Sequence, residues 1–184
     1  MMSDIISFLN IARKLKSTKR TGWIERGVRE PESSADHSWM MSLMALALPF
    51  DGDRDRALRM IVVHDLAEAV VGDIISKDNW NAGSHTRDEK TKLERDAMKD
   101  ITAKLDRSTA SEMMKLWTEF NEGKTKEAIF ARDIDVAERL IQALAYNKEG
   151  NFRKPLDGFW DETSLSKIES ESIKALVKKI IDKG

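Results

Sequence analysis

Met60-Ile-Val-Val-His-Asp-Leu-Ala-Glu68 is the stretch of sequence that decides the fold and points to a function. Apart from the His64-Asp65 pair and Glu68 it is apolar nearly all round, which predicts a buried helix that begins after a capping Asp53 and reaches Glu68. A buried, ionised carboxylate without a partner costs several kcal/mol. We therefore infer that a divalent metal ion is the partner of this His-Asp pair.

Two residues from other predicted helices, His37 and Asp135, complete a candidate metal site. Two neutral imidazoles with two carboxylates suit manganese, cobalt, iron, nickel or zinc, and leave positions open for water or substrate. Because the chain has only three histidines, we expect a single metal ion, which argues against a di-iron oxygenase. The ordinary alternative is an acidic helix end with surface carboxylates. His85 lies in a polar stretch and is interpreted as an ordinary histidine.

The ligand from the predicted helix 125–147 is either Asp133 or Asp135, because two sequence patterns disagree about which aspartate faces the metal. At 100° per residue, Asp133 falls within the apolar arc of its helix, which is formed by Ile129, Phe130, Ala137, Leu140, Ile141 and Leu144. Asp135 instead begins a polar stripe that continues with Glu138, Gln142 and Tyr146. A helix that passes a polar site on one side and the core on the other would show both faces.

The chain is predicted to be all-α and to form a single domain over residues 1–184. It has three prolines and nine glycines, and no useful segment alternates with period two. Besides the helix from Asp53 to Glu68, helices are expected at 4–16, 36–48, about 85–105, 108–121, 125–147 and 164–182. The second of these carries the apolar residues Trp39, Met40, Leu43, Met44 and Ala47 and should end before Pro49, and the last is amphipathic enough to pack within the chain or across an interface.

Composition excludes several classes of protein. Lys plus Arg (31) nearly balances Asp plus Glu (32), so no global field would hold a nucleic acid polymer or an anionic membrane. The absence of cysteine removes disulfides, thiolate zinc sites and cysteine nucleophiles. The amino terminus lacks the basic and apolar regions of a secretion signal. These observations predict a cytoplasmic protein.

Four more side chains are candidates for binding or catalysis. Glu68 lies one helical turn after His64, and Asp73 follows Gly72 where the helix should end. Arg20 offers two-pronged recognition of a phosphate, and Trp23 offers a face for stacking a base. The alternative for the last pair is a solvated basic run with a core tryptophan. Other large side chains that could contact a ligand are interpreted as packing residues, namely Trp117, Trp160, Met40, Met41 and Met44.

Five ordered blocks between about residues 8 and 146 carry a family resemblance. They are Lys19-Arg20-Thr-Gly-Trp23, Pro31-Glu32-Ser33 leading to Ala35-Asp36-His37, His64-Asp-Leu-Ala-Glu68, Val71-Gly72-Asp73-Ile74, and Leu116-Trp117. With the separated His, the His-Asp pair and the late Asp, they resemble the HD-domain metal-dependent phosphohydrolases. More specifically, they are similar to the HD-domain 5'-deoxynucleotidases of the HD domain-containing protein 2 type.

The resemblance implies an HD-domain helical bundle around a mononuclear metal site. Carried over by position, the resemblance implies that the metal ligands are His37, His64, Asp65 and Asp135. It also implies that Glu68 and Asp73 are catalytic and that Arg20 and Trp23 bind the substrate. It favours manganese or cobalt, with iron, nickel, zinc or magnesium possible, and it implies a homodimer. The expected substrates are (deoxy)nucleoside 5'-monophosphates, with a preference for 2'-deoxy sugars. The alternatives are another HD phosphohydrolase, such as a cyclic-nucleotide phosphodiesterase, and a non-catalytic nucleotide-binding protein.

Overall fold

The computed structural model describes residues 4–76, 85–159 and 165–182, except for the side chain of Asp157. Within these ranges the chain is helical and contains no β-strand, which confirms the predicted all-α class. The α-helices are α1 (Ile5–Ala12), α2 (Thr21–Glu25), α3 (Ser34–Ala47), α4 (Arg54–Val63), α5 (Glu68–Val71), α6 (Arg87–Thr102), α7 (Arg107–Glu122), α8 (Lys126–Glu149) and α9 (Glu171–Ile181). Two 3-10 turns span Arg13–Lys16 and Asp157–Phe159.

Side-chain caps set the start of several helices. Ser33 and Asp36 form a capping box at the start of α3, where each side chain bonds to the backbone N–H of the other residue. Asp53 accepts the backbone N–H of Arg56 at 3.0 Å, so its predicted role as the cap of α4 is confirmed. Thr125 caps the long helix α8 in the same way. These caps are local signals, which is why the sequence locates the starts of these helices closely.

The helix predicted to run from Asp53 through Glu68 is interrupted, so that prediction was wrong. Helix α4 ends at Val63, and a turn over residues 64–67 leads to the short helix α5. In this turn the backbone N–H of Glu68 bonds to the carbonyl of Asp65 at 2.9 Å, three residues back rather than four. The surrounding sequence is apolar all round and has no glycine or proline at the turn. Neither periodicity nor a helix-breaking residue therefore marks the interruption.

Helix α8 is central and packs against α3, α4, α7 and α9. A continuous cluster of buried side chains extends from Phe8 in α1 to Val177 in α9. Trp117 is 1% exposed within this cluster, as expected for a packing residue, whereas Trp160 lies outside the described residues. The single domain expected over residues 1–184 stays a prediction.

The apolar stripe predicted for α3 is only partly buried, because Met44 is buried and Met40 is half-buried while other members are exposed. Trp39 is 67% exposed and Leu43 is 47% exposed, whereas the buried residues of this helix are Ser34, His37, Met41, Met44 and Ala45. The buried set also follows helical spacing, because it recurs at intervals of three and four residues. Periodicity alone therefore allows two faces. Packing against α4 and α8 selects the face that carries His37.

Helix α9 is shorter than the predicted helix 164–182 and packs within the chain. It begins after Ser170, and residue 164 lies outside the described residues. Ile173 and Val177 are each 1% exposed where α9 contacts α8. The apolar face of this segment is thus buried against the chain's own core. No helix in the described ranges combines the length and apolar character needed to span a bilayer.

Candidate active site

The four residues proposed as metal ligands come together from three parts of the chain. His37 projects from α3, Asp135 from α8, and His64 and Asp65 from the turn after α4. One ligand atom from each of His37, His64 and Asp65 lies within 4.8 Å of the others. Asp135 joins them, because its Oδ1 is 3.2 Å from His37 Nε2. The interruption of the predicted helix is therefore part of the site.

The Nε2 nitrogens of both histidines are suited to bind a metal ion, because only the Nδ1 nitrogens have hydrogen-bond partners within the described part of the chain. His37 Nδ1 faces Glu138 Oε2 at 2.5 Å, and His64 Nδ1 faces the carbonyl of Ile61 at 2.7 Å. The Nε2 atoms of the two rings are buried and make no hydrogen bond to the described residues. Carboxylate oxygens nevertheless lie 3.2 and 3.0 Å from them. Nitrogens and oxygens this close without hydrogen-bond geometry are suited to share a cation.

The charges of the cluster also suit a cation. Burial would lower the pKa of His37, but the carboxylates of Asp135 and Glu138 raise it to about 9. Burial would raise the pKa of Asp135, but His37 and Arg139 hold it well below its usual value. The site therefore attracts positive charge, and a metal ion held there would take the place of a proton on His37.

Asp133 points away from this cluster. Its carboxylate accepts the backbone N–H groups of Glu169 at 2.9 Å and Ser170 at 2.7 Å, just before α9. The side chain is buried, as helical periodicity indicated. Its inward direction leads to the junction with α9, whereas Asp135 faces the histidines. Of the two aspartates left open by the sequence, the structure brings Asp135 to the candidate site.

Glu68 is buried beside the cluster with few partners. Its Oε2 accepts the hydroxyl of Ser34 at 2.6 Å, and its Oε1 lies 3.9 Å from Arg20 Nη1. Burial, followed by the negative charges of Asp65 and Asp73, raises the pKa of Glu68 well above its usual value. This carboxyl group is therefore suited to carry a proton. Ser34 could not be recognised from the sequence, because a serine in the first turn of a helix is ordinary.

Asp73 is fixed at the edge of the site by Thr21. Its Oδ2 accepts the backbone N–H of Thr21 at 2.6 Å, and the Thr21 hydroxyl donates to the Asp73 carbonyl at 2.5 Å. The preceding Gly72 ends α5 with a φ of +76°, a backbone conformation that favours glycine. The glycine thus turns the chain from α5 toward Thr21 and sets the place of Asp73.

Arg20 lies inside the site and not in a solvated basic run. Its Nη1 is 3.1 Å from Asp65 Oδ2, and its side chain is only 14% exposed. Burial would lower the pKa of Arg20, but the charges of Asp73, Asp65 and Glu68 raise it well above its usual value. The guanidinium therefore stays charged and faces the candidate metal site, which is where a phosphate would be bound.

Trp23 lines the site but is almost completely buried. Its Nε1 donates to Glu32 Oε1 at 2.8 Å, and the centroid of the Phe159 ring is 4.4 Å from its own. Only 2% of the residue is exposed. The ring thus supports the wall of the site and presents little of its face for stacking. The pKa of Glu32 is raised to about 7 by burial and by the charge of Glu138.

The cluster opens into a cavity of about 310 Å³, a size typical of small-molecule sites. Besides Arg20, Trp23, His64, Asp65, Glu68, Asp73 and Asp135, its walls include Lys90, Glu94, Asn121 and Arg139. The sequence did not single out these last four. Lys90 and Glu94 are one turn apart on α6 with 3.4 Å between Nζ and Oε1, a spacing that usually marks a solvated ion pair. Only the tertiary fold turns this pair toward the site.

These features define an all-α protein in which a cluster of histidines and carboxylates, able to hold a metal ion, lies at the base of a small-molecule cavity. The chain belongs to the HD domain family, whose model matches residues 12–176. Proteins of this family are metal-dependent, and the cluster supplies residues able to bind the ion.

Relatives are similar over nearly the whole chain. The 5'-deoxynucleotidase HDDC2 of Mus musculus is 36% identical over 179 residues, which are 97% of this chain and 87% of that protein. A conserved hypothetical protein from Pyrococcus furiosus has a similar structure, with a TM-score of 0.78 and 27% identity over 96% of this chain and 99% of that one. A predicted metal-dependent phosphohydrolase from Magnetospirillum magnetotacticum has a TM-score of 0.75 and 25% identity, covering 98% of this chain and 90% of its own.

Proposed function

We propose that this chain is a metal-dependent 5'-deoxynucleotidase, a phosphatase that hydrolyses (deoxy)nucleoside 5'-monophosphates to nucleoside and phosphate. The observation that carries the proposal is the cavity in which Arg20, Glu68 and Asp73 face the histidine and carboxylate cluster. A guanidinium and two acids beside a metal site are the groups that phosphomonoester hydrolysis requires. The name of the mouse relative, a 5'-deoxynucleotidase, supports the same activity.

The proposed ligands of the ion are His37, His64, Asp65 and Asp135. Their nitrogen and oxygen donors suit manganese or cobalt, which the family resemblance favours, and they also allow iron, nickel, zinc or magnesium. When bound, the ion neutralises phosphoryl charge and makes water more acidic.

The remaining side chains bind the phosphate and move protons. Arg20 donates hydrogen bonds to the phosphoryl oxygens. Asp73 holds the attacking water and takes its proton as the new bond from oxygen to phosphorus forms. Glu68, whose pKa is raised by burial, donates a proton to the 5'-oxygen as the bond from phosphorus to that oxygen breaks. Trp23 supports the wall of the cavity that receives the nucleoside.

Two alternatives are less well supported. A cyclic-nucleotide phosphodiesterase would release a monophosphate and no inorganic phosphate, and the name of the mouse relative does not favour it. A non-catalytic nucleotide-binding protein would have no use for the acids Glu68 and Asp73 beside the proposed ligands. A phosphate-release screen of ribo- and deoxyribonucleotides, each with and without manganese or cobalt, tests all three. Metal-dependent release from 5'-monophosphates is expected, and no release under any condition would contradict the proposal.

Replacing Arg20 with Ala should weaken substrate binding far more than metal binding. The loss of a charge-assisted phosphate contact costs on the order of 1.5 to 3 kcal/mol, so KM should rise by roughly ten- to a hundredfold. Lys at this position should rescue only in part, because it lacks the planar fork of arginine. Steady-state kinetics at saturating metal measure the effect.

The neighbouring Lys19 is a matched control for Arg20. It is also basic, but its Nζ donates to the carbonyl of Pro31 at 2.8 Å, and the residue is exposed outside the cavity. Lys19→Ala should therefore leave KM close to that of the wild type. Unchanged KM and turnover in Arg20→Ala would remove Arg20 from substrate binding.

The preference for 2'-deoxy sugars is proposed from the family resemblance. It predicts that the site closes tightly around the sugar 2'-position, where a hydroxyl group would be crowded or left without a hydrogen-bond partner. The measurement is kcat/KM for pairs of nucleotides that share a base and differ only at this position. The deoxynucleotide of each pair should be hydrolysed faster. Equal values for both members would sink this prediction.

A homodimer and a cytoplasmic location also belong to the proposal. The family resemblance implies the dimer, and exposed apolar residues on α3 offer a surface for it, namely Trp39, Leu43 and Leu46. These residues are spaced four and three apart, so they lie on one face of the helix. The location stays a prediction from the sequence.

A further inference from the structure

We propose that Glu138 is a positioning residue, whose carboxylate holds the His37 ring with its proton on Nδ1 and with Nε2 free to face the metal. Neither the HD domain match nor the names of the relatives assigns a role to this residue. The inference rests on the metal site of the proposed function, but not on the identity of its substrate.

The contact between Glu138 and His37 is short and closed to water. Glu138 Oε2 lies 2.5 Å from His37 Nδ1, and the two residues are 2% and 0% exposed. An ionised carboxylate only accepts hydrogen bonds. The proton of a neutral His37 therefore belongs on Nδ1, and the lone pair belongs on Nε2. Because solvent does not reach the pair, no water competes with the carboxylate for the Nδ1 proton.

Helix α8 holds the same imidazole ring at both nitrogens. Asp135 Oδ1 is 3.2 Å from His37 Nε2, and Glu138, three residues later, bonds to Nδ1. Positions three apart share a helix face, so one turn of α8 presents both carboxylates to α3. This arrangement accounts for the polar stripe in the sequence of α8. Its last member, Tyr146, accepts the backbone N–H of Glu32 at 2.9 Å.

The second histidine provides an internal comparison. His64 Nδ1 lies 2.7 Å from the carbonyl of Ile61, so it has the same tautomer but a neutral partner. A carboxylate partner makes the imidazole a stronger donor to metal than a carbonyl does, and it fixes the ring by a charge-assisted bond. His37 is therefore the more strongly held of the two. Loss of Glu138 should act on metal affinity first.

Metal binding by Glu138→Gln and Glu138→Ala tests the proposal. With Mn²⁺ or Co²⁺ as the probe and no nucleotide present, titration calorimetry should give a Kd that is about 10- to 100-fold weaker than in the wild type, the usual range for a lost outer partner of a ligand. Phosphatase activity should fall at limiting metal and recover with excess metal. Activity lost through a purely structural defect would not be restored by excess metal.

Glu32→Gln is the matched control. Glu32 is half-buried and lies close to His37 and Glu138, but its carboxylate accepts the Nε1–H of Trp23 at 2.8 Å, so its replacement should change the metal Kd by less than about threefold. A Kd in both Glu138 variants as tight as in the wild type would overturn the proposal. If the wild type itself bound no divalent metal, the proposed function would fail instead. The two failures are therefore distinguishable.

A measurement on the wild type covers the case in which both variants fail to fold. In the protein loaded with Zn²⁺, a diamagnetic probe, ¹⁵N NMR of the histidines should show a proton on Nδ1 of His37 and none on its Nε2. A His37 ring protonated on Nε2 would overturn the proposal without any substitution.

Discussion

Glu68→Gln is expected to lower turnover by roughly a hundredfold or more while metal content stays unchanged, the usual scale for losing a positioned acid or base. The Gln side chain has nearly the same shape and can still accept the hydroxyl of Ser34, which bonds to Glu68 at 2.6 Å. It has no acidic proton to give to the leaving 5'-oxygen. Phosphate release and metal analysis of the same preparation measure both effects.

Glu94→Gln is the matched control for this substitution. Glu94 lines the same cavity, but its carboxylate pairs with Lys90 at 3.4 Å. Its replacement should cost less than about tenfold in turnover, because no proton transfer is assigned to it. Unchanged turnover in Glu68→Gln at full metal occupancy would remove Glu68 from the mechanism.

Asp135→Ala should abolish both metal retention and phosphatase activity while the chain stays helical. The Asp135 carboxylate is 3.2 Å from His37 Nε2, and no neighbouring acid on α8 can replace it, since Glu138 is engaged on the far side of the ring. The side chain is also 27% exposed, so its loss leaves no large buried void. Metal analysis, phosphate release and circular dichroism together measure the result.

Asp133→Ala should give the opposite pattern, with lower stability and some metal retained. Its buried carboxylate accepts the backbone N–H groups of Glu169 and Ser170. Leaving such groups without a partner costs on the order of 1 to 3 kcal/mol of unfolding free energy. Thermal unfolding of both variants measures the difference. Loss of metal from the Asp133 variant alone would show that the ligand had been assigned two residues too late.

The helices that the sequence predicted well are those with local signals at their ends. The expected helix 125–147 is found as Lys126–Glu149, with Thr125 as its cap and Gly150 in a left-handed conformation after its end. The break after Val63 was not predicted. The apolar side chains around the break can be buried whether the helix continues or is interrupted. Which of the two conformations forms therefore depends on packing against other helices.

The residues of the candidate site also divide into those that a local sequence pattern reveals and those that it does not. His64-Asp65 was found because a charged pair in an apolar run conflicts with burial unless a partner is present. Ser34 and Lys90 were not found, because serine early in a helix and an exposed-looking lysine are both common. Ser34 meets Glu68 across 34 positions of sequence, and no local pattern reports such a contact.

The sequence by itself determined the all-α class and the main helices, and it singled out the candidate ligands together with Arg20, Glu68 and Asp73. Helical periodicity, capping residues and the cost of a buried charge act over a few positions, so they can be recognised without the fold. Only the tertiary structure decided that Asp135 meets His37 while Asp133 bonds to the chain before α9, and that Glu138 holds the far side of the same ring. These choices depend on where α3, α8 and α9 lie relative to one another. That placement is the sum of many packing contacts between residues far apart in the chain.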